Sequence, residues 1–282
     1  MAARPTRRAR LLYVAICLLP CASVGCAGLW DDVTSRDFKF ESLYTSPPDP
    51  LVVLWDSTDG NLRAKALRAL REPKEHGGTD QEQEMVLKIL ATAAVTEHQP
   101  WVRLAAIQSL GRFKDPRAVT ALRDAYELAG NVLPSNDIQQ AAFHPPAGYL
   151  PETVAAIRCQ AIEALGQTQN AATVELLVRV LRQPPVEGTE GERQEATDER
   201  IAAARALGNF KEPPATEALL KVLQTEKDVA LRDCACRSLQ AATGKKLPDD
   251  AKAWEEYLHT ANQPNGNPAA DAPRREKFLG LF

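Results

Sequence analysis

The side chains best suited to hold a metal or to attack a carbonyl are four histidines, His76, His98, His144 and His259, and six cysteines. Their spacing assembles neither function. No histidine is followed by glutamate, and the four fall at the ends of apolar-periodic segments or between them, where ligands do not converge on one point. Cys17, Cys21 and Cys26 crowd the N-terminus, which leaves Cys159, Cys234 and Cys236. On a helix the last two point about 200° apart, so they can neither share a metal nor close a disulfide easily. They read as buried structural thiols. A Ser/His/Asp order, a Gly-rich phosphate loop and a zincin motif are all lacking, so the sequence predicts no enzyme, no cofactor and no metal.

A different chemistry repeats along the chain, that of the guanidinium. Arginine, alanine three residues on and leucine four further recur at Arg63-Ala66-Leu70, Arg103-Ala106-Leu110, Arg158-Ala161-Leu165, Arg200-Ala203-Leu207 and Arg232-Ala235-Leu239. At 3.6 residues per turn these positions share one helix face, together with residues such as Ile107. The alanine permits close approach of neighbouring helices, and the leucine fills the space between them. The arginine is the odd member, because it lies within the buried stripe near a helix N-terminus, where the dipole disfavours a cation. It must find acceptors. The expectation is a ladder between repeats, with the aliphatic stem packed and the guanidinium on a carboxylate or carbonyl. A row of ligand-binding arginines is the alternative.

The elements that carry this face are clearest from Trp101 to Tyr126. Gly111 marks a stop, Asp115-Pro116 a cap and first turn, and Val119, Leu122 and Ala125 or Tyr126 the stripe of a second helix. The leucine-to-leucine intervals are 40, 55, 42 and 32 residues. On Val102-Arg103…Leu110-Gly111, Ile157-Arg158…Leu165-Gly166 and Ile201…Leu207-Gly208, the chain resembles the HEAT-like repeat family, of the PBS-lyase type, over roughly residues 51–260. The resemblance implies an all-α fold, an α-solenoid of about five HEAT-like helical hairpin repeats, and it says little about function. Some HEAT-like proteins are enzymes. The deoxyhypusine hydroxylases carry His-Glu pairs on successive repeats, which this chain lacks, and no motif here carries over the substrate site of the bilin lyases.

Residues 1–25 place Arg4, Arg7, Arg8 and Arg10 before the apolar run Leu11–Leu19 with no acid, the pattern of a secretory signal peptide. The run is too short to span a membrane. The sequence Ser23-Val-Gly-Cys26 resembles a bacterial lipobox with Ser where Leu is usual, so Cys26 is the expected lipidated residue and Cys21, after Pro20, the competitor. Sec export fits better than the twin-arginine route, since Arg10 stands where an apolar residue belongs. Loss of the four arginines leaves 30 basic residues against 37 acidic, a net charge of −7, which disfavours nucleic acid.

Residues 26–50 are expected to form a tether ending in the stiff Ser46-Pro-Pro-Asp-Pro50, and Leu51–Trp55 a short helix capping the first repeat. Residues 131–151 form an insertion with Phe143, His144 and Tyr149; Pro184–Asp198 is acidic and reads as a mobile loop. Asn170 is the expected cap of the second helix of repeat three, and Trp254 and Leu258 the inner face of a closing helix. Residues 261–282 are expected to be a disordered tail whose apolar end, Phe278, Leu279, Leu281 and Phe282, either folds back or docks in a partner's groove. The expected function is a membrane-anchored, extracytoplasmic scaffold of the cell envelope that binds a protein partner. An assembly factor for an envelope machine is the alternative, and a HEAT-type enzyme or cofactor lyase the third.

Overall fold

The computed structural model describes residues 48–131 and 149–261. The expectations for the signal peptide, Cys26, the tether, most of the first insertion and the tail residues Phe278, Leu279, Leu281 and Phe282 lie outside the described residues.

Every regular element described is helical: α1 Pro50–Asp56, α2 Gly60–Ala69, α3 Asp80–Thr96, α4 Pro100–Leu110, α5 Pro116–Glu127, α6 Pro151–Gln167, α7 Val174–Leu181, α8 Glu190–Leu207, α9 Pro213–Thr225, α10 Val229–Thr243 and α11 Ala251–Ala261, with short 3₁₀ turns before α3 and α7. The starts follow from local chemistry. Asp59, Asp115, Asn170 and Asp228 accept backbone N–H groups two or three residues on, at 2.8–3.0 Å, and Pro100, Pro116, Pro151 and Pro213 occupy first-turn positions that need no donor. Asn170 opens the 3₁₀ turn Ala171–Thr173 that leads into α7.

The even-numbered helices α2, α4, α6, α8 and α10 carry the repeated arginines. Each packs on the next even helix and on the odd helix before it. Leu110, Leu165, Leu207 and Leu239 are fully buried and Leu70 nearly so, within one apolar core running from Ala64 to Leu258. The fold is therefore an all-α solenoid. Trp254 and Leu258 of α11 close the core, while Glu255 and Glu256 face outward.

The segment Pro184–Asp198 departs from the expected loop. From Glu190 onward it is the first half of α8, begun by a capping box in which Thr189 and Glu192 bond each other's backbone N–H groups. Charged side chains remain exposed on that extension, and the hydrogen-bonded ends supply the order that apolar burial does not. Helix α1 also differs in part: it packs against α2, yet Trp55 is 90% exposed.

Gly111 is a C-cap with φ −61°, an ordinary helical value, so the backbone does not demand glycine there. The neighbour does. A Cβ on Gly111 would come 2.9 Å from the Ala164 Cβ of α6, one on Gly166 2.7 Å from the Ala206 Cβ of α8, and one on Gly208 3.1 Å from the Ser238 Cβ of α10. The Leu-Gly pairs thus set the distance between successive even helices. Gly166→Ala is expected to lower unfolding free energy by roughly 1–3 kcal/mol through overpacking. Gly191→Ala, on the open first turn of α8 with nothing within 4 Å, should raise it by about 0.4–1 kcal/mol. Urea melts of the two variants check both signs.

Candidate protein-binding surface

Arg63, Arg103 and Arg232 sit in the first turns of α2, α4 and α10, as expected, whereas Arg158 and Arg200 lie inside α6 and α8, because those helices already begin at Pro151 and Glu190. Arg103 is fully buried, and its guanidinium donates to four carbonyls: Ala94 O in the last turn of α3 at 2.6 Å, Leu128 O at 2.8 Å, and Ala129 O and Asn131 O at 3.3 Å, just beyond α5. These belong to the end carbonyls that a helix leaves without internal partners. Burial works against the charge of Arg103, and the carbonyl ring and the Tyr149 face, 5.7 Å from the guanidinium carbon, hold it. Tyr149 in turn donates to Glu97 O at 2.6 Å. Arg63 donates to Leu54 O of α1 at 2.9 Å and pairs with Glu97, the C-cap of α3. Arg200 repeats that scheme with Leu181 O of α7 at 3.2 Å and Glu226, the C-cap of α9.

The other two rungs are looser. Arg158 meets Glu199 of α8 at 3.4 Å and the Tyr126 ring at 5.8 Å, and Arg232 meets Asp249 at 3.3 Å; both leave a buried Nε without a partner among the described residues. Burial pushes the Glu199 carboxyl up, against the pull of Arg158, and the Cys159 thiol is pushed up to about 12 by burial and then by Glu199. That thiol is a poor nucleophile. Cys234 and Cys236 also have their thiols raised by burial and lie near the carbonyls of Ile201 and Leu247, so none of the three is poised for chemistry.

The unequal rungs make a direct test. Arg103→Ala should cost roughly 3–5 kcal/mol, because a cavity remains and four carbonyls lose their donor, Leu128 O alone keeping the Asn131 N–H, and Arg103→Lys should restore only part of it, since one ammonium cannot reach all four. Arg232→Ala should cost less than about 1 kcal/mol. Equal losses in denaturant melts would count against the ladder.

Between the first two repeats a second polar tie lies off the ladder. The buried Glu72 carboxylate accepts the N–H of Lys114 at 2.6 Å and of Asp115 at 3.2 Å, and Gln83 bridges it at 2.8 Å to Asp115 at 3.1 Å. The Arg117 hydrogen bond holds the Asp115 carboxyl at about 2, below its ordinary 3.8. Because the folded value is the lower one, this contribution to stability is complete above pH 4 or so and is lost as the pH falls toward about 2. Asp115→Asn should lower stability at neutral pH and flatten the acid limb, as read from urea midpoints at a series of pH values.

An apolar opening lies at the first-repeat end. Leu51, Leu54 and Trp55 of α1 and Met85, Ile89 and Thr92 of α3 line a cleft of about 630 Å³, with Lys88 at its side and the Arg63–Glu97 pair at its floor. Trp55, Val52 and Met85 are all exposed. Met85, Ile89 and Thr92, spaced four and three apart, form a second face on α3, turned away from buried Val86, Leu87 and Leu90. The sequence analysis did not single out this face; the doubled apolar periodicity of the Met85–Leu90 run was the available signal. Among the described residues no group of three or more His, Cys, Asp and Glu side chains is placed to hold a metal ion.

The geometry gives a stack of arginine-tied helical hairpins with one apolar cleft and no converging set of reactive groups among the described residues. The family model for HEAT repeats matches residues 48–131, and that for the PBS lyase HEAT-like repeat matches residues 157–183 and 199–225. The matched spans begin near the ladder positions Arg158 and Arg200, and the second starts at Glu199, leaving Glu190–Asp198 as an extension of α8. No curated protein matches the chain. Over these spans the chain carries HEAT-like repeats, a fold that commonly mediates protein–protein interaction and is generally a scaffold.

Proposed function

We propose that this protein is an exported scaffold, held to an extracytoplasmic membrane face by lipid on Cys26, that receives a protein partner in the cleft between α1 and α3. The observation that carries the binding role is that cleft: Trp55 stands 90% exposed beside Leu51, Leu54, Met85 and Ile89, the most exposed large apolar side chain among the described residues and one of a contiguous apolar set. Its shape and chemistry suit an amphipathic segment with bulky apolar side chains, and Lys88 at the edge favours an acidic residue beside them. The anchoring role is supported by the sequence of residues 1–26, an arginine-led apolar run ending in Val24-Gly25-Cys26. Among the described residues no helix is long and apolar enough to cross a membrane; in this reading the lipid on Cys26 provides the attachment. The tail residues Phe278, Leu279, Leu281 and Phe282 serve in this reading as a second docking element on a leash.

Two measurements separate the claims. Intact mass of the processed protein is expected to show a chain starting at Cys26 with a diacylglyceryl group, and Cys26→Ala to abolish it; an unacylated chain beginning elsewhere would remove the anchor from the account. For the cleft, a Trp55→Ser/Met85→Ser pair should lose a stoichiometric partner recovered by the wild type from detergent-solubilised envelopes, with helicity unchanged. Recovery of the same partner by both proteins would show that binding lies elsewhere.

A further inference from the structure

The first two repeats carry three arginines whose charge the rest of the fold does not answer. Arg68 stands five residues after the ladder arginine of α2, Arg71 eight after it, and Arg112 nine after that of α4. All three are exposed. Arg112 donates to the Arg68 carbonyl at 2.8 Å and to the Ser109 hydroxyl at 3.0 Å, and Ser109 donates to Leu67 O at 2.8 Å. The Nε of Arg68 donates to the Gln108 side chain at 3.2 Å. Two guanidiniums are therefore held by hydrogen bonds at the junction of α2 and α4, each with further N–H groups left over.

The same register positions behave differently further along. Five residues after the arginines of α8 and α10 stand Arg205 and Arg237, and each has a carboxylate: Arg205 pairs with Glu163 at 2.7 Å and Arg237 with Asp233. At the first junction the corresponding neighbour is neutral Gln108, and none of Arg68, Arg71 and Arg112 has an ion pair among the described residues. The nearest acid in sequence, Glu72, turns inward and spends both oxygens on Gln83, Lys114 and Asp115. Arg71 stands where repeats two to four have Gly111, Gly166 and Gly208, so a position that elsewhere is kept bare for packing here carries a cation. Burial, and then the charges of Arg71 and Arg68, work against the proton on Arg112. The end carbonyls of α2 and α4 favour a cation each and account for the orientation of Arg112, but they leave Arg71 with no hydrogen-bond partner among the described residues.

We infer that Arg68, Arg71 and Arg112 form a binding site for a phosphoryl oxyanion, a free phosphate or the headgroup of an anionic lipid. The planar fork of each guanidinium matches paired phosphate oxygens, and two of the three are already held in place, so little ordering is lost on binding. The site is independent of lipidation at Cys26 and of the cleft, because Arg68 and Arg112 are held by contacts between α2 and α4 and Arg71 directly follows the end of α2.

The test uses the full chain in nanodiscs and reads the arginine side-chain Nε–H signals by NMR. In one arm, discs of phosphatidylcholine are titrated with inorganic phosphate against chloride of equal ionic strength; in the other, phosphatidylglycerol is mixed into the disc. Saturable shifts of Arg68, Arg71 and Arg112 in the phosphate arm identify a free anion, and shifts only in the mixed discs identify the headgroup. Arg71→Gln, at an exposed site with no hydrogen bond to lose among the described residues, should weaken the response at least tenfold without moving the melting temperature. No shift beyond chloride in either arm, or an equal shift at the paired Arg205 and Arg237, would overturn the site.

Discussion

A helix ends with four carbonyls that its own backbone cannot satisfy, and a stack of helical hairpins brings those ends together in rows inside the structure. This solenoid places a guanidinium in the row. Arg103 holds the ends of α3 and α5 at once, and Arg63 and Arg200 hold one helix end through a carbonyl and the next through a C-cap glutamate. Along its own helix the position looks unfavourable for Arg63 and Arg103, since a cation near an N-terminus opposes the dipole, though not for Arg200 inside α8. It is favourable for the two antiparallel neighbours, whose negative ends it faces. Glu97 and Glu226, acids at helix C-termini, become tolerable for the same reason.

Once the ends are tied, the spacing between even helices is set by what stands after the ladder leucine. Gly111, Gly166 and Gly208 let the backbones close to distances that a side chain would prevent. The first junction is built otherwise. Arg71 replaces the glycine, a buried Glu72–Gln83–Asp115 network supplies the tie, and a cleft lined by Trp55 opens between α1 and α3. The apolar cleft and the unanswered arginines thus both belong to the first two repeats.

The repeat itself was legible because Arg, Ala and Leu mark one face at 3.6-residue spacing, and the all-α solenoid follows from five such faces. The acceptors of the arginines were not legible as named atoms: carbonyls carry no sequence signature, and Leu128 O or Leu181 O enters only through the fold. Thr189-Glu-Gly-Glu192 was a readable helix start, yet the acidic, apolar-poor composition after Pro184 outweighed it and suggested a loop. Composition reports burial, whereas a capping box reports hydrogen bonds, and in this segment the second decides. The cleft escaped for a related reason. An apolar run such as Leu51–Trp55 says that surface is available to bury, and only the packing of α1 on α2 shows that Trp55 is left out.

The central claim is that the arginines bind the ends of neighbouring helices into one stack, and a double-mutant cycle on Arg200 and Glu226 tests it most directly. Both side chains are mostly buried, and they join α8 to the C-terminus of α9. The account predicts a coupling of about 1–3 kcal/mol in urea unfolding, as for hydrogen bonds to charged groups in contact. The exposed Arg237–Asp233 pair within α10 should give only about 0.3–0.5 kcal/mol. Equal couplings for the two pairs, or none for Arg200 and Glu226, would contradict the claim.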